Sequence, residues 1–138
     1  MRRPSEIFQQ KIWPAYEEYL AHPGDKRLAT VLAGALNNQL EWTFKYYKAA
    51  DLSRLCGASG LQQFREIIYR LCPDLSMMKD LADADKHRVL RPDARRRLFY
   101  SSQALYVKRE CGLWVNGYEK PFQPAATTAV EFWKKWSD

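Results

Sequence analysis

Between Asp25 and Ala49 apolar residues return at Leu28, Val31, Leu32, Ala35, Leu36 and Leu40, and Phe44 and Tyr47 extend the series. Steps of three and four put them on one face of an α-helix. The stretch therefore predicts a long amphipathic helix, with Asp25 as its N-cap. A helix with one apolar stripe must bury that stripe against other elements. No other segment of the chain is marked as strongly.

The flanking segments supply the cover. Ser5 is a good N-cap ahead of Ile7 and Phe8, so a first helix is expected over Ser5–Ala21. Pro14 inside it predicts a kink or break after Trp13, and His22-Pro23-Gly24 stops it. Asp51 to Gly57 suits a single helical turn. Leu61, Phe64, Ile67, Ile68 and Leu71 then mark a helix that Pro73 ends. Asp74 is read as the cap of the next one, which has Leu75, Met78, Leu81, Ala82 and Val89 on its apolar side. Pro92 disfavours a helical Arg91, so this helix should stop near Leu90.

Beyond it the pattern changes. Arg97–Tyr100, Ala104–Val107 and Leu113–Gly117 read as short strands, with Asn116-Gly117 as a hairpin turn and 118–122 pairing back. Pro124 is expected to open a last helix over Ala125–Trp136, anchored by Val130, Phe132, Trp133 and Trp136. The fold class expected is mainly α, of α+β type. It is an antiparallel bundle of about four helices, with a small β-hairpin or three-stranded insertion before a C-terminal helix that packs back. We read one domain, in which 1–90 is the bundle, 91–123 a basic connector with short strands, and 124–138 the closing helix.

Composition excludes several classes. Hydrophobic residues are 46% and charged residues 28%, which fits neither a membrane protein nor a disordered tail. No apolar run approaches the roughly 20 residues that span a bilayer. The basic start is not followed by a signal-peptide hydrophobic segment, so a cytoplasmic location is expected. Cys56, Cys72 and Cys111 are odd in number and widely spaced, with no C-x-x-C, so three reduced and mostly buried thiols are expected. There is no P-loop, G-x-G-x-x-G or G-x-S-x-G, and no cofactor is expected.

Charge is concentrated. Lys86, Arg88, Arg91, Arg95, Arg96 and Arg97 stand against Asp93 alone in residues 86–97, contributing +5 of the chain's net +6. A local positive field attracts phosphates. Arg88, Arg91, Arg95, Arg96 and Arg97 are therefore candidate nucleic-acid contacts, and Phe99, Tyr100 and Tyr106 could stack on bases. The same run also fits a solvated connector or a dock for an acidic protein.

Asp83 and His87 are four apart, so they share a helix face, and Asp80 lies a turn earlier. Asp80, Asp83 and His87 are thus candidate metal ligands, with Asn37 and Glu41 able to complete the set across the bundle. The competing reading is an inter-helix polar network in which Asp83 accepts from Lys79 or His87. Trp133 and Trp136, three apart, suit either an interface or closure of the core.

The run Lys79-Asp80-Leu81-Ala82-Asp83-Ala84-Asp85-Lys86-His87-Arg88-Val89-Leu90, after Cys72-Pro73, resembles small uncharacterised bacterial and phage-borne helical proteins carrying D-x-A-x-A-x-K-H-R-x-L. These are similar, more loosely, to the HEPN superfamily of helical bundles, which includes RNases, toxins and nucleotide-binding partners in defence systems. The resemblance covers about residues 26–90. The HEPN catalytic signature is an Arg and a His with four to six residues between them. Asp80, Leu81 and Ala82 precede His87 at the matching positions, and Ala15, Tyr16 and Glu17 precede His22, so no arginine fits. The resemblance implies a shared bundle without implying RNase activity.

These readings converge on a non-catalytic binding protein that engages RNA, DNA or a nucleoprotein complex through the basic segment. Two alternatives stand beside it. One is a HEPN-like RNase or toxin with an altered site at Asp83, Lys86, His87 and Arg88. The other is a protein-interaction module or homodimer presenting Trp114, Trp133 and Trp136.

Overall fold

The apolar series of residues 26–49 forms helix α3 (Lys26–Ala50), which occupies the centre of the molecule. The structure is a computed structural model and describes residues 1–87, 96–100, 111–115 and 118–136. Asp25 caps α3 as the sequence predicts: its carboxylate accepts from the Arg27 N–H at 2.8 Å and the Leu28 N–H at 3.2 Å. Leu28, Leu32, Leu36, Leu40, Phe44 and Tyr47 are buried, together with Ala29 and Ala33. Val31 is a correction, because it is 54% exposed. The buried face is centred on the side of Leu32 and Leu36 that carries Ala29 and Ala33, and this turns Val31 to solvent.

Helix α1 (Pro4–Ile7), a π-helical turn (Phe8–Ile12) and α2 (Trp13–Ala21) form one continuous segment ahead of α3. Two expectations change here. Pro4, rather than a residue after a Ser5 cap, opens the helix: proline suits the first helical position, where its missing N–H would have no partner anyway. There is also no break after Trp13. The helix instead widens before it, where the Trp13 N–H donates to the Phe8 carbonyl, five residues back. A wider turn gives the Pro14 ring room against the preceding carbonyls.

A short 3₁₀ helix, Leu52–Leu55, follows α3, with the Asp51 carboxylate accepting from the Ser53 N–H at 3.1 Å. Cys56 and Gly57 then take left-handed backbone angles (φ 56° and 80°), which reverses the chain. Helix α4 (Leu61–Leu71) buries Phe64 and Ile68 and leaves Leu71 exposed. Helix α5 (Pro73–His87) starts at Pro73 itself, so Asp74 lies inside the first turn and is not the cap. The expected end near Leu90, and Val89, lie outside the described residues.

Strands β1 (Arg96–Tyr100), β2 (Cys111–Val115) and β3 (Tyr118–Pro121) form an antiparallel sheet in that order. Arg96 pairs with Val115, Tyr100 with Cys111, and Val115 with Tyr118. The Cys111 N–H donates to the Pro23 carbonyl at 3.0 Å, tying β2 to the turn between α2 and α3. Residues 104–107 and the Asn116-Gly117 turn lie outside the described residues. Helix α6 (Phe122–Trp136) begins before Pro124, which falls in its first turn, where a missing N–H is tolerated.

Helix α6 returns to the core. Trp133 is fully buried, and its Nε1–H donates to the Leu36 carbonyl at 2.9 Å. Trp136 stacks on Phe132 at 5.8 Å and meets Phe64 edge-on at 6.2 Å. Trp133 therefore closes the core and cannot present a dimer surface. Arg54 reaches the carbonyl of Trp136 at 2.8 Å, so a cation sits at the C-terminal end of α6, where the helix dipole favours it.

Cys56 is exposed, whereas Cys72 and Cys111 are buried. Burial pushes the Cys72 thiol up, and pushes the Cys111 thiol up to about 11, so both stay protonated and shielded at neutral pH. A thiol titration of the native protein should give one fast-reacting group, lost in Cys56→Ser. Two fast groups would contradict this packing.

Candidate functional site

Helices α3 and α4 run antiparallel, and two polar rungs join them. Tyr69 donates its hydroxyl to Asn37 Oδ1 at 3.2 Å, and Arg65 donates to Glu41 Oε1 at 2.7 Å. Residues four apart on one helix meet residues four apart on the other, as facing helix ridges require. Helix α5 brings Lys79 and Asp83 to the same region as an i,i+4 ion pair at 3.5 Å. Asn37, Glu41, Asp80 and Asp83, four of the five residues that the sequence offers as a cross-bundle set with His87, thus lie around a tyrosine that the sequence does not single out.

Tyr69 registers the combined field. Burial pushes its phenol up to about 12. The Arg65 guanidinium opposes this, while the Asp80, Asp83 and Glu41 carboxylates add to it. The neutral phenol is the form that donates to Asn37. In the unfolded chain the group has its ordinary value near 10. Between those values the unfolded chain loses the proton while the folded one keeps it. The stabilising contribution is therefore complete below pH 10 and is lost as pH climbs through about 12. In an absorbance titration of phenolate, Tyr69→Phe should remove a late-ionising group and reduce the loss of stability over that range. An unchanged late phase would contradict the placement of Tyr69.

The chemistry of this cluster is that of a closed network. Glu41 has Arg65 and Asp83 has Lys79, so two of its carboxylates are paired with cations. Among the described residues no three or more His, Cys, Asp or Glu side chains gather as a metal site would require. Lys86 and His87 belong to the last turn of α5, and only their backbone is described; Arg88 lies outside the described residues. Arg65 and Tyr69 were legible in one respect, since they have the same four-residue spacing as Asn37 and Glu41.

The basic run leaves the end of α5 and enters β1. Arg96, Arg97 and Tyr100 stand on that strand, and Arg96 and Arg97 pair in register with Val115 and Trp114. Arg91, Arg95 and Tyr106 lie outside the described residues, and of Phe99 and Trp114 only the backbone is described. Strand β1 packs against α5, and its neighbour β2 against α6, so the sheet that carries the basic strand rests on the bundle. No helix among the described residues is long and apolar enough to cross a membrane. No protein-family model matches the chain, and no curated protein or solved structure matches it either.

Proposed function

We propose that this chain is a small, non-catalytic, HEPN-like binding protein that engages nucleic acid or a nucleoprotein complex in the cytoplasm, in a setting such as bacterial defence or a mobile element. The carrying observation is the concentration of +5 of the net +6 in residues 86–97, on a path that runs from α5 into a hydrogen-bonded strand. Arg88, Arg91, Arg95, Arg96 and Arg97 supply the phosphate contacts, and Tyr100, at the end of β1, supplies a stacking surface. A strand held in a sheet has already lost its backbone freedom, so less ordering entropy opposes binding.

The polar cluster supports the non-catalytic form of this reading. The carboxylate of Asp83 is engaged by Lys79, and the departure from the HEPN arginine–histidine spacing leaves the His87 region without its expected partner. No metal or cofactor is part of the proposal.

Fluorescence anisotropy with labelled RNA and single-stranded DNA at two salt concentrations tests it. Binding that weakens steeply with salt is expected. Absence of binding at low salt would remove the reading and leave an acidic protein or a second copy as the partner. RNA cleavage abolished by His87→Ala would replace it with an atypical RNase or toxin centred on Asp83, Lys86, His87 and Arg88.

A further inference from the structure

The tryptophans differ in what they touch. Trp13 packs against Phe8 and Tyr16, Trp133 is interior, and Trp136 stacks on Phe132. Trp42 is 41% exposed, on the outer face of α3. Leaving an indole in water forgoes a large burial gain, and at a binding surface that forgone area becomes contact area.

Two exposed cations belong to the segments that meet at this part of α3. The segment from α1 to α2 runs antiparallel to α3, and its start is fixed there because the buried Gln39 amide donates to the Pro4 carbonyl at 2.8 Å. Trp42 lies one helical turn past Gln39, and Lys45 one turn past Trp42. Arg3 immediately precedes Pro4, so the same hydrogen bond brings its backbone to this stretch of α3. Arg3 and Lys45 are both exposed, and neither belongs to an ion pair among the described residues. Glu41, the sequence neighbour of Trp42, is turned toward α4, where Arg65 pairs with it at 2.7 Å. The result is an exposed indole with the exposed Lys45 one helical turn away and the exposed Arg3 entering along the same stretch of α3, a combination complementary in charge to a phosphate backbone.

We propose that the Trp42 face of α3 is a contact for single-stranded nucleic acid, in which the indole stacks on an unpaired base while Arg3 and Lys45 hold flanking phosphates. Duplex bases are already stacked on one another, so an indole on a convex helix surface reaches a base face only where the strand is single. The inference rests on the nucleic-acid reading above, but it involves different residues from the β1 run.

The test is anisotropy of a labelled oligothymidylate, an oligouridylate and a duplex of matched length. The proteins are the wild type, Trp42→Ala, Trp42→Phe and the double variant Arg3→Glu/Lys45→Glu. Thermal melts establish that the variants stay folded. Trp42→Ala should weaken single-strand binding by about tenfold or more, and Trp42→Phe by much less. Duplex binding should be unchanged in both, and the charge-reversed variant should lose affinity while keeping Trp42. If the wild type binds single strands and Trp42→Ala binds them equally well, the Trp42 surface is not a nucleic-acid contact, and the β1 reading stands alone. If the wild type binds none of the probes, both readings fall.

Discussion

Trp133→Ala should be the most damaging single substitution in the chain. Its side chain, in the last turn of α6, is fully buried, meets Phe132 edge-on at 5.1 Å, and donates its indole N–H to the Leu36 carbonyl of α3. Truncating a buried tryptophan to alanine costs about 3–5 kcal/mol, because the transfer energy is lost and a cavity remains. A domain of this size has a total stability of roughly 5–15 kcal/mol, so a fifth or more would go. The melting temperature should fall by roughly 10–20 °C, read by circular dichroism. Trp133→Phe separates the terms. It keeps a six-membered aromatic ring in the core and removes the N–H donor with the rest of the indole, while the Leu36 carbonyl retains its place in the α3 ladder, so its cost should be smaller. A loss below about 1 kcal/mol for Trp133→Ala would mean that α6 does not close the core. Trp42→Ala is the comparison: at 41% exposure it should cost clearly less than Trp133→Ala.

The pair Trp133 and Trp136 shows how far sequence reasoning reaches here. Their three-residue spacing places both on one face of a helix, but spacing carries no information about what that face meets. Which of the two readings holds depends on α6 returning to α3, a contact between residues 97 positions apart in the chain. Val31 makes the same point in reverse. It obeys the helical period and is nonetheless exposed, because the breadth of the buried face was set by Ala29 and Ala33, which drew no attention beside the leucines.

Local chemistry was the most legible layer. Asp25 caps α3 because a short carboxylate before a helix has its first free N–H groups within reach, and nothing distant intervenes. Proline was legible as a perturbation, but its outcome was not: a π-helical turn absorbs Pro14 where a break was expected, and Pro4, Pro73 and Pro124 all sit in first turns. In the polar cluster, the four-residue spacing of Asn37 and Glu41 matches that of Asp83 and His87, but spacing alone does not say what meets across the helices. Tyr69 and Arg65 are the side chains that complete two of its contacts, and a periodicity read only through apolar residues passes over them.

The combined variant Arg95→Ala, Arg96→Ala and Arg97→Ala should produce the largest functional effect. These three residues supply half of the cations in the 86–97 run. Each phosphate neutralised by a protein cation releases condensed counterions, so the logarithm of the binding constant falls linearly with the logarithm of salt, by roughly 0.7 per contact on a single strand. Removing three contacts should lower the magnitude of that slope by about 2, and affinity should fall most at low salt, where counterion release is worth most. Because Arg96 and Arg97 stand on a strand whose backbone pairs with β2, alanine preserves the β1–β2 ladder, and the fold should survive the change.

That slope is the measurement to make: the affinity of wild type and triple variant for one labelled single strand across a series of salt concentrations, with melting curves for both. A steep wild-type line and a shallow, weak variant line, at equal thermal stability, are the predicted result. Parallel lines of equal affinity would show that the basic strand does not touch the phosphates, and would contradict the central claim.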